Sequence, residues 1–362
     1  MSRFAIGKSM TESEKFELEP QVSVVLPVRN GAPWLGEAVA SIVDQTLERW
    51  ELIVVDDHSC DDSFSIARRL AAADARIVFV ENSGEGLVSA LNTGLALARA
   101  PYLARMDADD VSHPARLQRQ YETLASRPEL FAVTCQVRGF PDEALTDGMA
   151  RYLDWQNSLA EPAEIARERF VETPVVHPSL MLRTDLLRDQ LGGWRDCGWA
   201  EDWDLVLRAC AANLAIARVG EVLLDWRLHD QQFTRVDPSC RPGALERARA
   251  HFLAHHLHPL VAAGRPVVML GSGPIGKSLA RALLAEGLNI SAFCDVAVSK
   301  IGNTVAAGNG TRWPVLDGDA TAKLSPRAFG LAAVGSPGGR LRVREACTSW
   351  GWREEHDYLV VA

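Results

Sequence analysis

The chain has 362 residues, of which 38 are Lys or Arg and 47 are Asp or Glu, and its formal net charge at pH 7 is −9. At roughly 100–200 residues per domain, this length predicts two domains with enough apolar content for real cores. The acidic balance argues against binding to the phosphate backbone of nucleic acids, because that affinity depends on cationic contacts. Any nucleotide bound here should therefore be a small one.

Neither hydropathy nor cysteine usage predicts export or a membrane span. No apolar run approaches the roughly 20 residues that a spanning helix needs, and the polar start of the chain lacks the apolar core of a signal peptide. The seven cysteines are odd in number and include no CxxC pair, which argues against a disulfide framework or a zinc knuckle. We expect a cytoplasmic protein, and we leave peripheral association with the inner face of the cell membrane open.

The order of apolar runs predicts the architecture of the first domain. Residues 1–20 are charged and carry no periodic apolar face, so we expect a flexible tail. From there the runs are, in order, VSVVLPV, AVASIVDQTL, ELIVVDD, SFSIARRLAAA, RIVFVE, GLVSALNTGLALARA and YLARMDADD. Short β-rich runs that alternate with helical ones predict an α/β fold with a parallel sheet covered by helices on both faces. We place this domain at residues 21–235.

A second alternation begins after a Gly-Arg-Pro boundary. A helical segment, ALERARAHFLAHHLHPLVAAG, precedes it and predicts a linker over residues 236–263. The runs PVVMLGSG, IGKSLARALLAEG and NISAFCDV then predict a smaller α/β domain over residues 264–362.

Polar residues follow three of the predicted strands of the first domain. The first run ends in Pro27-Val28-Arg29-Asn30-Gly31, the second in Asp56 and Asp57, and the fourth in Asp107, Asp109 and Asp110. Ligands of open parallel sheets bind beyond the carboxyl ends of the strands, and clustered carboxylates suit Mg²⁺ or Mn²⁺. A divalent metal carrying a diphosphate is the natural occupant. An alternative is that Asp57 and Asp110 cap the helices that follow them.

The segment VSVVLPVRNGAPWLGEAVASIVDQTLERWELIVVDDHSCDDS, followed by ARMDADDVSHPARL and GGWRDCGWAEDWDLVLR, resembles the family-2 glycosyltransferases. The resemblance covers roughly residues 22–232. It implies a GT-A nucleotide-diphospho-sugar transferase domain, whose mixed and mostly parallel sheet is flanked by helices. It also implies an inverting transfer of a sugar from a nucleotide sugar, a UDP-sugar by preference, to a hydroxyl of a glycan or lipid-linked glycan.

The same resemblance implies roles for the residues at the strand ends. It places Pro27, Asn30, Asp56 and Asp57 around the base and ribose of the donor. It places Asp107 near the ribose and Asp109 on a divalent metal, Mn²⁺ or Mg²⁺, that bridges the donor diphosphate. Such a metal would neutralise the charge that develops on the departing nucleoside diphosphate.

Further along the chain, Glu201 and Asp202 match the ED motif of the family. In that family the Asp usually serves as the base that deprotonates the acceptor hydroxyl, and a carboxylate can do this only within hydrogen-bond reach. The alternative for Asp202 is an N-cap of the helix that follows, and both roles are compatible. His229, in LLDWRLHDQQ, matches a later motif near the diphosphate or metal, or is a loop histidine that packs.

One position departs from the family pattern. Many members carry an Arg directly before the Asn of the third helix, whereas this chain has Leu91 before Asn92. Positive charge for the diphosphate must then come from the metal and from Arg105 or Arg227.

The second domain begins with a glycine-rich loop that fits both GxGxxG and GxxxxGK[ST], over Gly271, Gly273, Gly276 and Ser278. The first pattern, with Asp295 ending the next strand, predicts a Rossmann-like domain with a second nucleotide site. Nucleotide binding and a packing or assembly module, including homo-oligomer formation, both remain open for it. Two alternative functions for the chain are an NAD(P)-dependent oxidoreductase seated here and a nucleotide-sugar sensor without catalysis.

Overall fold

The structure is a computed structural model that describes residues 19–324 and 326–362. The flexible tail expected over residues 1–20 lies almost wholly outside the described residues. The chain forms two compact units. The first unit contains the described part of Met1–Ala160 with Val175–Trp194 and Ala215–Leu228, and the second contains Glu161–Pro174, Arg195–Leu214 and the described part of His229–Ala362.

The first unit is built on one mixed sheet of eight strands. The strands are β1 (Val22–Val28), β2 (Trp50–Asp56), β3 (Ile77–Glu81), β4 (Tyr102–Arg105), β5 (Val111–Ser112), β6 (Leu130–Phe140), β7 (Met181–Arg183) and β8 (Ala215–Arg227). Their order in the sheet is β3-β2-β1-β4-β7-β6-β8-β5. The strands from β3 to β4 are parallel, whereas β7 runs antiparallel to both of its neighbours. The predicted α/β fold with a mixed, mostly parallel sheet is confirmed.

Helices cover this sheet on both faces, which is why its central strands are continuous apolar runs. All residues of β1 and β2 are buried, as expected for parallel strands between two helical layers. The helices of the first unit are α1 (Leu35–Val43), α2 (Ser63–Ala73), α3 (Leu87–Leu97), α4 (Arg116–Ser126) and α5 (Asp147–Ser158). Short helical turns at Asp142–Ala144, His177–Ser179 and Leu186–Gln190 complete it.

The strand register brings the polar strand ends to one edge. Val28 at the end of β1 is paired with Asp56 at the end of β2, and Val25 of β1 is paired with Arg105 at the end of β4. The chain that follows each of these strands therefore leaves the sheet at the same edge. This edge carries the loops that the sequence marks as functional.

The second unit contains a six-stranded sheet. Its strands are β9 (Val267–Leu270), β10 (Ala292–Cys294), β11 (Thr304–Ala306), β12 (Arg312–Leu316), β13 (Phe329–Ala332) and β14 (Tyr358–Val360), in the order β11-β12-β10-β9-β13-β14. All neighbours from β12 to β14 are parallel, and β11 is an antiparallel edge strand. Numbered along the chain, the five parallel strands have the order 3-2-1-4-5 of a doubly wound sheet. This agrees with the predicted Rossmann-like domain.

Two excursions of the chain from the first unit join the second. Helices α6 (Pro162–Glu168) and α7 (Glu201–Ala211) belong to these excursions. The other helices of the second unit are α8 (Phe233–Val236), α9 (Pro242–Ala262), α10 (Pro274–Ala285), α11 (Gly318–Ala322) and α12 (Pro337–Ser349). Within the described ranges, none of the helices is both long and apolar enough to cross a membrane. The division at residues 235 and 263 stays a proposal.

Gly276 allows the first turn of α10 to pack closely against the loop after β9. A Cβ at this position would lie 2.1 Å from the backbone oxygen of Gly271 and 3.2 Å from Cγ of Met269. Gly276→Ala should therefore lower the free energy of unfolding by about 1–3 kcal/mol, as overpacking does. Urea denaturation of the full chain measures this.

The matched control is Gly243→Ala in the first turn of α9, where a Cβ would meet open space. We expect this variant to be neutral or more stable by about 0.4–1 kcal/mol, because alanine restricts the unfolded chain. Equal stability of the two variants would contradict the close approach at Gly276.

Candidate active site

Three aspartates in the loop after β4 form a cluster of hard oxygen ligands. Each of Asp107, Asp109 and Asp110 offers one carboxylate oxygen, and these oxygens all lie within 4.8 Å of one another. Asp107 and Asp109 are half-buried and Asp110 is buried. Among the residues that the structure describes, this is the one group of acidic, His or Cys side chains close enough to hold a metal ion.

Burial and mutual repulsion penalise the charge of this cluster. Burial raises the pKa of Asp110 well above its usual range, and the charges of Asp107 and Asp109 add to the effect. Burial also raises the pKa of Asp107, although Arg105 opposes it. One oxygen of Asp110 accepts the backbone N–H of Arg227 at 2.9 Å, but its buried Oδ2 has no hydrogen-bond partner among the described residues. A close oxygen donor set with an orphaned buried oxygen fits a divalent cation.

Arginines border the cluster and fix its backbone. Arg105 forms an ion pair with Asp107. The fully buried Arg116 donates to the carbonyl oxygen of Arg105 at 2.5 Å. Arg227 donates from Nε to the carbonyl oxygen of Asp109 at 2.6 Å and from Nη2 to Glu37 at 2.6 Å. Arg105 and Arg227, which the sequence predicts as sources of positive charge for the diphosphate, therefore both contact the loop that carries the cluster.

Asp57 and its neighbours form a second arrangement at the same edge of the sheet. The buried carboxylate of Asp57 accepts Nδ2–H of Asn82 at 2.7 Å and the backbone N–H of Gly86 at 3.0 Å. Arg29 reaches its other oxygen at 3.5 Å. Asn82 in turn accepts from Ser89 and Thr93 of α3. Asp57 thus ties the end of β2 to the loop that leads into α3, and no motif in the sequence marks Asn82 as its partner.

The ends of β1 and β2 are joined by hydrogen bonds around Asn30. Its Oδ1 accepts the backbone N–H of Cys60 at 2.7 Å, and its own N–H donates to Oγ of Ser59 at 3.0 Å. Asp56 accepts the N–H of Ser59 at 3.2 Å, while its buried Oδ1 has no partner in the part of the chain that the structure describes. Pro27 is buried inside β1. The structure therefore brings Asn30, Asp56 and the Ser59 loop together.

The helix-capping alternative for Asp57 and Asp110 is wrong. The helices that follow begin at Ser63 and Arg116, and their N-cap residues are Asp62 and Ala115. Asp57 and Asp110 stand several residues before these positions. Their carboxylates instead accept hydrogen bonds from loop and strand backbone.

A buried histidine beside the cluster was not assigned a role from the sequence. Nε2 of His177 accepts the indole N–H of Trp194 at 3.0 Å, and a positive charge on this ring would lower the pKa of Asp107. The backbone N–H and carbonyl of Trp194 are both bonded to the side chain of Asn92, at 3.0 and 2.9 Å. The Asn of the third helix, which stands beside the substituted position Leu91, therefore holds the residue that orients His177.

The ED motif and His229 lie in the second unit. Helix α7 begins at Glu201 and its N-cap residue is Ala200, so the N-cap alternative for Asp202 is wrong. Glu201 is buried and Asp202 is half-buried in the first turn of the helix. The backbone N–H of His229 donates to Oε1 of Gln232 at 3.4 Å. The roles of Glu201, Asp202 and His229 stay proposals.

The glycine-rich loop of the second unit is closed by its own side chains. Asp295 accepts the backbone N–H of Ser272 at 3.1 Å and its hydroxyl at 2.5 Å, and Lys300 Nζ lies 2.9 Å away. Burial acts to raise the pKa of Asp295, but these hydrogen bonds outweigh it and hold that pKa well below its usual range. A second nucleotide site over Gly271, Gly273, Gly276 and Asp295 stays a prediction.

Comparison with known proteins identifies the family. The model of Glycosyl transferase family 2 matches residues 23–191. A Bacillus subtilis (strain 168) protein described as a glycosyltransferase, EpsE, is 36% identical over 221 residues, which are 60% of this chain and 76% of that protein. An uncharacterized glycosyltransferase of Haemophilus influenzae is 28% identical over 226 residues, 60% of this chain and 68% of that protein. The chain belongs to glycosyltransferase family 2.

The fold comparison agrees with this assignment. The crystal structure of S. aureus TarS 1-349 in complex with UDP-GlcNAc superposes with a TM-score of 0.50 at 15% sequence identity, over 66% of this chain and 73% of that chain. At this identity the likeness concerns the fold alone. The first unit thus has the GT-A fold, and the chain is a sugar-transferring enzyme.

The raised pKa of Asp110 predicts how stability depends on pH and metal. The pKa of Asp110 is higher in the folded protein than in the unfolded chain. As the pH rises above about 4, the ordinary pKa of an aspartate, the unfolded chain therefore loses its proton more readily, and the metal-free folded protein becomes less stable. At pH 7, Asp110→Asn should therefore raise the melting temperature in EDTA, by roughly 2–4 °C for each kcal/mol of relieved repulsion. Calorimetry with EDTA or Mn²⁺ tests this.

Addition of Mn²⁺ should raise the melting temperature of the wild type more than that of the variant. The exposed Asp154 supplies the control, because Asp154→Asn removes the same charge away from the cluster. A metal-free Asp110→Asn protein less stable than the wild type would argue against charge repulsion at this site.

Proposed function

We propose that this protein is an inverting glycosyltransferase that moves a sugar from a nucleotide-diphosphate sugar to a hydroxyl of a glycan or lipid-linked glycan. The observation that carries the proposal is the cluster of Asp107, Asp109 and Asp110 at the carboxyl end of β4. Cation-binding carboxylates at this edge suit a diphosphate ligand, because ligands of open α/β sheets bind beyond the carboxyl ends of the strands.

Asp107, Asp109 and Asp110 would hold a divalent cation, Mn²⁺ or Mg²⁺. Such a cation stabilises the negative charge that develops on a departing nucleoside diphosphate. Arg105 ends β4 and Arg227 ends β8, and each contacts the loop that carries the acidic cluster, where they add positive charge. We assign His229 a supporting place near the diphosphate, as its motif implies.

The loops after β1 and β2 are the proposed site of the nucleoside. Asn30 is exposed, whereas the carboxylate of Asp57 is held rigid by Asn82 and Gly86. Pro27 and Asp56 complete the strand ends that would face the base and ribose. We propose a UDP-sugar as the donor, and the structural neighbour TarS, with a related fold, was solved with UDP-GlcNAc.

Asp202 is the proposed general base, with Glu201 beside it. Deprotonation of the acceptor hydroxyl lets it attack the anomeric carbon directly, so configuration inverts and no covalent enzyme intermediate forms. The carboxylate must lie within hydrogen-bond reach of that hydroxyl. We propose a cytoplasmic enzyme, and a lipid-linked acceptor would bring it to the inner face of the cell membrane.

A panel of donors tests metal-assisted turnover. The full chain is incubated with Mn²⁺ and one of four donors: UDP-glucose, UDP-galactose, UDP-GlcNAc or GDP-mannose. Water takes the sugar in the absence of another acceptor, and the nucleoside diphosphate that is released is measured. We expect one donor to be turned over fastest, and Asp109→Ala to lower that rate at least about 100-fold, because the metal loses a ligand. EDTA should have the same effect.

The control is Asp154→Asn, which should keep the wild-type rate. Donor turnover that is unchanged in Asp109→Ala or in EDTA would defeat the metal assignment. Absence of Mn²⁺-dependent turnover with every donor would defeat the proposed function.

Asp202→Asn separates the base from donor binding. The amide keeps the size of the side chain but accepts no proton, so turnover should fall about 100- to 10,000-fold, the usual contribution of a general base. The dissociation constant of UDP in the presence of Mn²⁺, measured by calorimetry, should stay within about twofold of the wild type. An unchanged rate, or a loss of UDP binding, would remove Asp202 from this role.

A further inference from the structure

Helix α7, which carries Glu201 and Asp202, is built into the hydrophobic core of the second unit. Trp203 and Leu207 of this helix are buried in one cluster with residues of α9, namely Ala248, Leu253 and Leu257. The same cluster includes Phe170 of the other excursion and the central strands of the second sheet. The position of the ED motif is therefore set by packing that the second unit supplies.

Trp203 fixes the first turn of α7. It directly follows Asp202 in the chain, and its side chain is 1% exposed. Its indole N–H donates to the carbonyl oxygen of Arg169 at 2.8 Å. A packed ring and a directed hydrogen bond together resist rotation of the helix about its axis, because rotation would break the bond and displace the ring.

Arg249 of α9 contacts both Trp203 and the backbone that follows Arg169. Its Nε donates to the carbonyl oxygen of Phe170 at 2.8 Å and its Nη2 to that of Val171 at 3.0 Å. The guanidinium carbon lies 5.2 Å from the centre of the Trp203 ring, which adds a cation–π contact. Burial lowers the pKa of Arg249, and the charges of Glu172 and Glu246 oppose that effect.

Ion pairs anchor the segment that Trp203 and Arg249 contact. Arg344 of α12 lies 2.6 Å from Glu168 at the end of α6, and it also pairs with Glu354 at 2.9 Å. Arg169 pairs with Glu355 at 3.0 Å. The segment Glu161–Pro174 is therefore fastened to the C-terminal part of the second unit on one side and to α7 on the other.

We propose that the second unit is a positioning platform for the proposed base, and that Arg249 and Trp203 are positioning residues that act through Asp202. The inference rests on the proposed function of Asp202. A base acts only within hydrogen-bond reach of its proton, and a misplacement of about 1 Å can cost about 100-fold in rate. Loosening the first turn of α7 should therefore slow turnover without weakening the donor site.

A double-mutant cycle tests this in the full chain. Arg249→Met keeps the length and apolar stem of the side chain but removes the guanidinium. Turnover is measured as Mn²⁺-dependent release of nucleoside diphosphate from the fastest of the four donors named above. We expect Arg249→Met to lower the rate at least about tenfold with an unchanged dissociation constant for UDP, and to add no further loss in the Asp202→Asn background.

The control is Arg312→Met. It removes an exposed guanidinium of β12 that is bonded to Thr304 of β11, also in the second unit. This variant should keep the wild-type rate. Trp203→Phe is the milder variant: it keeps a ring but removes the N–H donor, and should lower the rate by a smaller factor in the same pattern. If circular dichroism shows that Arg249→Met is unfolded, Trp203→Phe is used in its place to test the proposal.

The outcomes separate the two proposals. Wild-type turnover in Asp202→Asn would overturn the base assignment and the platform with it. A strongly impaired Asp202→Asn, combined with an Arg249→Met or Trp203→Phe variant that behaves as wild type, would overturn the platform alone. The platform would also be overturned if Arg249→Met lowered the rate by the same factor in the wild-type and Asp202→Asn backgrounds. A merely structural role lowers the fraction of active protein whether or not the base is present.

Discussion

The repulsion among Asp107, Asp109 and Asp110 is the constraint on which the first unit depends. Carboxylates whose oxygens lie within 4.8 Å repel one another, and the burial of Asp110 removes the water that would screen them. The fold nevertheless holds them together, because the loop is fixed at its backbone by Arg227 and at its base by Arg116. A backbone held in this way keeps the ligands in place before a cation arrives, so less ordering remains to be done on binding.

The contrast with Asp57 shows how two buried carboxylates at the same edge differ in what they would gain from a cation. Asp57 accepts N–H donors from Asn82 and Gly86, and the guanidinium of Arg29 lies 3.5 Å from one of its oxygens. Asp110 accepts one N–H donor, and its other buried oxygen has none within residues 19–324 and 326–362. A carboxylate whose hydrogen bonds are complete is already stabilised, whereas an incomplete one gains from a cation. Acidic residues at strand ends are therefore not equivalent, although the sequence presents them alike.

The apolar runs predict β1 to β4 as parallel strands, because short β-rich runs alternate with helical ones and the central strands β1 and β2 are buried throughout. The partner of Asp57 was not predictable: Asn82 stands beyond α2 and β3, and only the folded loop brings the two together. The capping alternative failed for a similar reason, since helix starts at Ser63 and Arg116 depend on loop geometry. For α7, every residue from Trp203 to Ala209 is buried, and the sequence does not show which core receives them.

The glycine-rich loop of the second unit is occupied by contacts from its own chain. Its glycine-rich loop approaches α10 so closely that Gly276 has no room for a side chain. The N–H of Ser272, which an incoming phosphate would need, is donated to Asp295, and Lys300 pairs with the same carboxylate. An anion at this loop would first have to displace those bonds and face a carboxylate. A loop closed in this way favours a rigid core in the second unit. Helix α7 packs in that core, and a rigid core would hold the proposed base Asp202, in the first turn of α7, at a fixed distance from the proton that it takes.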